Sequence, residues 1–237
     1  TPWEEMGTLL LLHAAAAFLP GTGRVPSGRS VGRVVGIDAI AVAPTSAEPA
    51  LRIGHGYDIH RMDTREAAGQ PVIISGVKFD GSDAPDFELG AVAHSDGDVV
   101  YHSVVDAILG ALTMPDIGQL FPDNDPRLRG ADSSIFMVEA VSRMQGRGYR
   151  VGNLDVTLIC QKPRVNVEHA GRQVKERMIE NLARLLLTDL SRVNVKARTH
   201  EKVDSVGECR ALECHVVMVL EKDPEATSAP PAVTLEA

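Results

Sequence analysis

The chain has 237 residues, long enough to bury a core as one large domain or two small ones. With 32 acidic and 24 basic residues its formal net charge is −8, which argues against nucleic acid as a partner, because phosphate backbones require basic patches. Its three cysteines, Cys160, Cys209 and Cys214, form no CxxC pair and leave an odd number, so a disulfide framework is not expected and a reducing compartment fits.

Residues 1–50 differ from the rest. Thr8 to Leu19 is apolar apart from His13, too short to span a bilayer, and preceded by Glu4 and Glu5 rather than by a basic flank. The following stretch carries Arg24, Arg29 and Arg33 with Ser27, Ser30 and Ser46, and its only acids are Asp38 and Glu48. An acid-poor leader bearing Arg and Ser predicts an organelle transit segment; the alternative is a disordered extension without an address. The rest of the sequence holds no segment long and apolar enough to span a membrane.

The folded domain is expected to start near Leu51. Arg52 to Ile59 has strand character, with Gly54 and Gly56 marking a bulge or the close approach of another group. Alternation places Asp58 and His60 on one face of its end. Pro71–Ile74 and Val77–Phe79 around Ser75-Gly76 read as a hairpin, and Asp80 to Phe87 as a polar loop leading to His94. A central helix follows within His94–Gly118, with Ser95 or Asp96 as its cap, Asp98 in its first turn and Pro115 ending the pattern. Val100, Val104, Ile108 and Leu112 form its apolar stripe, and Asp98, His102 and Asp106 share another face.

Phe121-Pro122-Asp123-Asn124-Asp125-Pro126 is turn-rich and suits a lid. A second helix capped by Asp132 and Ser133 would turn Ile135, Val138, Val141 and Met144 inward and stop near Gly146-Arg147-Gly148. Leu154 to Cys160 alternates as a strand, with Cys160 a small core residue. A third helix is expected over Glu168–Leu187, then strands over Val193–Thr199 and His215–Leu220, then a disordered tail over 223–237. This order predicts a single α/β (α+β) domain over 51–222, its sheet covered by helices on one side.

Asp58, His60 and His102 offer one carboxylate oxygen and two imidazole nitrogens. Three protein ligands with an open fourth position suit a catalytic zinc, whereas structural zinc favours four ligands and a cysteine cluster that this chain lacks. The spacing alone also fits a polar strand end and a solvated helix face.

Several separate motifs resemble one family in order from residue 52 to 222. They are Arg52-Ile53-Gly54-His55-Gly56-Tyr57-Asp58-Ile59-His60, Ala93-His94-Ser95-Asp96-Gly97-Asp98, Asp116-Ile117-Gly118 with Phe121-Pro122-Asp123, and Asn194-Val195-Lys196-Ala197 with Glu201-Lys202. The family is the 2-C-methyl-D-erythritol 2,4-cyclodiphosphate synthases. The resemblance implies homotrimers with active sites between subunits, in which 4-diphosphocytidyl-2-C-methyl-D-erythritol 2-phosphate is cyclised and CMP leaves. It implies that Asp58, His60 and His102 hold zinc against the β-phosphate as Lewis acid and template. Glu201 would hold a second divalent ion, magnesium or alternatively manganese, bridging the α- and β-phosphates.

The substrate's own 2-phosphate is then the nucleophile, and catalysis is positioning and charge stabilisation. His94 and Thr199 match the positions that stabilise the transition state. Ser95, Asp116, Ile117 and Gly118 lie in motifs that contact the methylerythritol part, and Phe121, Pro122, Asp123, Asn124 and Asp125 line the same wall. Cys160, Gln161, Lys162, Pro163, Arg164, Val165 and Asn166 correspond to the cytidine pocket. Asp116 also reads as a turn cap, Asp106 as a structural partner of a histidine, and Asp96 and Asp98 as loop and cap residues.

Two departures stand out. Arg198-Thr199-His200-Glu201 resembles the plastid version rather than the Thr-Thr-rich bacterial one. Val206-Gly207-Glu208-Cys209-Arg210 replaces the usual Gly-rich stretch, leaving Arg210 as the nearest phosphate-gripping candidate. With the leader, the first points to a plastid. A zinc phosphohydrolase, or a non-enzymatic protein folded around zinc, remains the alternative reading of the residues alone.

Overall fold

A computed structural model describes residues 48–226; the transit reading over 1–47 and the tail reading over 227–237 lie outside them. β1 (Leu51–Thr64) and β9 (Ala211–Lys222) pair antiparallel from Leu51↔Glu221 to Arg61↔Ala211. β4 (Leu89–Val92) joins the far end of β1, antiparallel. β5 (Tyr149–Ile159) lies antiparallel to β9 and parallel to β8 (Val193–Arg198), giving the order β4-β1-β9-β5-β8. The register shifts between Val151 and Asn153, at Gly152.

Alternation along these strands sorts the two faces. Leu212, Cys214, Val216, Met218 and Leu220 of β9 and Leu154, Val156 and Leu158 of β5 are buried, with α2 (Val99–Ala111), α4 (Ser134–Gly146) and α5 (Val174–Leu185) packed on the strands. Ile53, Tyr57, Ile59 and Val217 stand exposed on the opposite face. On the helix face α2 lies directly on β1, because Gly54 and Gly56 carry no side chain there. A Cβ on Gly54 would meet the Ala107 carbonyl oxygen at 1.8 Å, and one on Gly56 the Ser103 oxygen at 1.8 Å. The sequence's glycine pair therefore marks a close approach, which sets Asp58 and His60 beside His102.

The hairpin forms as expected: β2 (Ile73–Ile74) and β3 (Val77–Lys78) flank Ser75 at φ 50° and Gly76 at φ 71°, the pair of positive angles that tight hairpins demand. Asp98 is not in the first turn of α2 but is its N-cap, in place of Ser95 or Asp96. Its buried carboxylate accepts from Val100 and Tyr101 N–H, and also from Ser75 (2.9 Å) and Gly76 (2.6 Å), so one side chain ties the hairpin turn to the helix start. Burial, with the nearby Asp96 charge, pushes that carboxyl up to about 7 against these amide hydrogen bonds. The helix ends at Ala111, ahead of Pro115, with Thr113 in a left-handed conformation.

Three other expectations are corrected. α4 buries Val141 and Met144 as expected, but in its first turns Phe136, Met137 and Ala140 are buried and Ile135 and Val138 are exposed. Its start is held by Asp132, which accepts from Ser134 N–H, while the Ser133 side chain turns elsewhere. The third helix begins only at Val174; β6 (Glu168–His169) and β7 (Arg172–Gln173) form a small hairpin before it, reversing through Ala170 and Gly171 with positive φ. Short elements were not anticipated either: α1 (Arg65–Ala68), capped by Thr64, the four-residue β4, and α3 (Ile117–Leu120).

Residues just before Leu51 also contact the domain. Glu48 accepts hydrogen bonds from Arg52 and from the Tyr149 hydroxyl, and Ala50 accepts from Lys222 N–H. Among the described residues no helix is long and apolar enough to cross a membrane.

Candidate metal centre and the cavities beside it

β1 delivers Asp58 and His60 on its helix-facing side, and α2 delivers His102. Asp58 Oδ2 lies 3.1 Å from His60 Nε2 and 3.0 Å from His102 Nδ1, and the two ring nitrogens are 3.1 Å apart. The His60 and His102 side chains are only 15% and 12% exposed, so this is not a solvated helix face. α2 is buried nearly all round, and the row through His102 and Asp106 is the half-buried stripe that remains.

Burial alone would raise the Asp58 carboxyl. Hydrogen bonds from His102 and His60, and the positive charge those rings can carry, outweigh it and hold the group well below the usual carboxylate range. Donors bound to tetrahedral zinc at about 2.0–2.1 Å stand about 3.3 Å apart. The three atoms are already within a few tenths of an ångström of that spacing, and they are the one group of metal-ligating side chains found close enough together among the described residues.

A cavity of about 240 Å³ opens against the two histidines, lined by His94, Ser95, Ile117, Gly118, Phe121 and Asp123 among others. His94 Nε2 donates to the Asp125 carbonyl (3.0 Å), joining the loop after β4 to the 121–128 loop. Asp116 caps α3, accepting from Gln119 N–H (2.9 Å). Asp106 makes no hydrogen bond to a histidine: it accepts from Ile117 N–H (2.8 Å) and so anchors the wall that α3 provides. Burial raises its carboxyl above the ordinary value. Hydrogen bonds from exposed Arg127 hold Asp125 down to about 2. Leu128 and Phe136 also line this cavity but were not anticipated, Phe136 because it lies off the stripe expected for α4.

A separate cavity of about 300 Å³ is lined by the whole run Cys160, Gln161, Lys162, Pro163, Arg164, Val165 and Asn166, with Ala197, Arg198 and Thr199. The Cys160 thiol donates to the Pro163 carbonyl, and burial pushes it up to about 12. Thr199 Oγ1 donates to Glu201 Oε1 (2.7 Å), and His200 pairs with Asp204 (2.8 Å). Both Glu201 and Thr199 are exposed. Arg210 is exposed and forked onto Glu208 (2.7 and 2.8 Å), leaving it outside both cavities.

Sequence reasoning passed over a layer behind His102. Its Nε2 lies 2.9 Å from Ser133 Oγ and 3.2 Å from Ser95 Oγ, and Ser133 is held by Asp96. Asp96 and Ser133 carried a signal as loop and cap residues, but nothing in their spacing links them to a histidine.

A mixed α/β domain with an Asp-His-His donor set at the mouth of a cavity defines a candidate metal-dependent enzyme. The YgbB family model matches residues 51–221, and the chain belongs to that family. It is 52% identical over 182 residues to the chloroplastic 2-C-methyl-D-erythritol 2,4-cyclodiphosphate synthase of Oryza sativa, covering 77% of this chain and 75% of that one. Against the synthase of Proteus mirabilis the identity is 46%, over 73% of this chain and 98% of the relative. Among solved structures, a CDP complex of IspF from Plasmodium falciparum superposes with a TM-score of 0.61 at 34% identity, covering 75% of this chain and 99% of that one.

Proposed function

We infer that the chain converts 4-diphosphocytidyl-2-C-methyl-D-erythritol 2-phosphate to 2-C-methyl-D-erythritol 2,4-cyclodiphosphate and releases CMP, a phosphorus–oxygen lyase step of the non-mevalonate isoprenoid pathway. The observation that carries this reading is the convergence of Asp58, His60 and His102 at the mouth of the cavity holding His94 and Ser95, inside the segment that matches the family. Zinc held by these three side chains supplies Lewis acidity to a phosphoryl oxygen.

The chain's own groups do the rest. The loop over Asp116–Asp125 walls in the methylerythritol part, and α3 is fixed there by Asp106. The Cys160–Asn166 run receives the cytidine, with Arg198 and Thr199 at its rim. Glu201, which accepts from the Thr199 hydroxyl, would hold a second divalent ion, magnesium, whose charge would offset that of the diphosphate. His94 and Thr199 stabilise charge as the 2-phosphate attacks the β-phosphorus and the bond to CMP breaks.

The metal-side and cytidine-side residues line two different cavities in one chain. This supports a homotrimer in which each active site combines the metal side of one subunit with the cytidine side of the next. The exposed apolar residues Ile53, Tyr57, Ile59 and Val217 on the open sheet face supply surface for such an assembly. The chloroplastic relatives from Oryza sativa and Arabidopsis thaliana support a plastid location, with residues 1–50 as the leader. The test is incubation with the cytidylyl substrate, with and without chelator. A cyclic diphosphate plus CMP, abolished by chelation, is expected; a linear phosphate would mean hydrolysis and overturn the reading.

A further inference from the structure

Behind the metal-facing side of His102 lies a chain of three hydrogen-bonding groups. Asp96 accepts from Ser133 Oγ (2.5 Å), from Ser133 N–H (3.1 Å) and from Asp98 N–H (3.2 Å), so both of its oxygens are occupied by donors. A carboxylate in that setting only accepts. Ser133 is fully buried and has one hydroxyl proton, which goes to Asp96. What Ser133 then presents to His102 Nε2, at 2.9 Å, is a lone pair. The ring nitrogen facing it must carry a proton.

Ser95 Oγ is farther, at 3.2 Å, and already receives Gly97 N–H at 3.4 Å. Were Ser95 to donate to Nε2, the resulting lone pair on that nitrogen would oppose the Ser133 lone pair at the shorter distance. A proton on Nε2 leaves His102 Nδ1, the atom beside Asp58 and His60, free to bind a cation.

We propose that Asp96, acting through the Ser133 hydroxyl, is a positioning residue that holds His102 in the Nε2-protonated tautomer and so presents Nδ1 to the metal. The two residues also set ring orientation, since Ser133 stands at the start of α4 and Asp96 in the loop before α2. Partners of this kind typically contribute 10–100-fold in metal affinity. The inference rests on the metal reading of Asp58, His60 and His102.

The experiment uses the zinc-loaded protein, with imidazole nitrogen–proton correlation spectra and zinc competition against a chromophoric chelator. In the wild type His102 should bind through Nδ1 and show its proton on Nε2. Ser133→Ala should lower zinc affinity by about 10–100-fold. Ser133→Thr, which keeps the hydroxyl, should recover most of it. Asp96→Asn places an amide donor where one of three donors now points, and should weaken zinc in the same direction.

A wild type that binds no zinc overturns the metal reading and this inference together. Zinc held through His102 Nε2, or unchanged affinity in folded Ser133→Ala, overturns the inference alone. Should Ser133→Ala lose its cooperative melting transition, the wild-type spectrum decides between the two tautomers by itself.

Discussion

Replacing Gly56 by alanine sets a methyl carbon 1.8 Å from the Ser103 carbonyl oxygen and 3.0 Å from Ala107 N. An ordinary carbon–oxygen contact is about 3.3 Å, so α2 must lift from β1 by about 1.5 Å. The obstacle is helix backbone, which has no rotamer to change. Overpacking costs typically about 1–3 kcal/mol, and a backbone clash belongs at the upper end, about 3 kcal/mol. For a domain of this size that corresponds to a fall in Tm of roughly 6–12 °C.

The same displacement acts on the candidate metal centre, because Ser103 is the neighbour of His102 while Asp58 stays on the strand two residues from Gly56. Site geometry tolerates about 0.5 Å, so zinc affinity should fall by more than about 10-fold. Calorimetric melting and zinc competition measure the two effects. Gly146→Ala, where an added Cβ meets nothing within 4 Å, is the control and should lower neither. A Gly56→Ala protein that melts within about 2 °C of the wild type and keeps its zinc would refute the close-approach argument.

Asp58→Asn should lower zinc content without substrate, because a neutral amide is a poorer donor. Glu201→Gln should keep zinc and CMP binding but lose turnover, part of it recovered by added magnesium; equal zinc loss in the two variants would mean one metal site, not two. For the metal-free protein, Asp58 is held below its ordinary value, so its contribution to stability is present above the unfolded-chain pKa of roughly 3.9 and disappears as pH falls through the lower folded value. The melting advantage of wild type over Asp58→Asn should therefore shrink as pH falls below roughly 3.9; growth of that advantage below this pH contradicts the assignment. Cys160 and Cys214 are buried, with thiols pushed upward by burial, and should resist alkylation at neutral pH until the chain is denatured. Rapid labelling of Cys160 in the native protein would show that the cavity it lines opens to solvent there.

Strand alternation put Asp58 and His60 on one face, and the turn chemistry of Ser75-Gly76 placed the hairpin, because both depend on neighbours in the chain. The family motifs likewise lie within short segments, so the Asp58, His60 and His102 cluster and the Cys160–Asn166 lining of the second cavity were legible in the sequence. The inward residues at the start of α4 were not: Phe136 and Ile135 are equally apolar, and only the position of α2 and the sheet decides which of them is buried. The helix expected from Glu168 began six residues late, because a six-residue hairpin turning through Ala170-Gly171 has too few residues to show a period.

Asp98 became a cap and a tether together since the hairpin turn came within reach of its second oxygen, a contact across 22 residues. Asp96 and Ser133 stand 37 positions apart, and Ser133 and His102 31. What the sequence determined on its own was the set of chemical groups and their local presentation. Tertiary structure alone decided which groups meet, because a hydrogen-bonded relay such as Asp96–Ser133–His102 is made by packing α2 against α4, and no short-range period encodes that encounter.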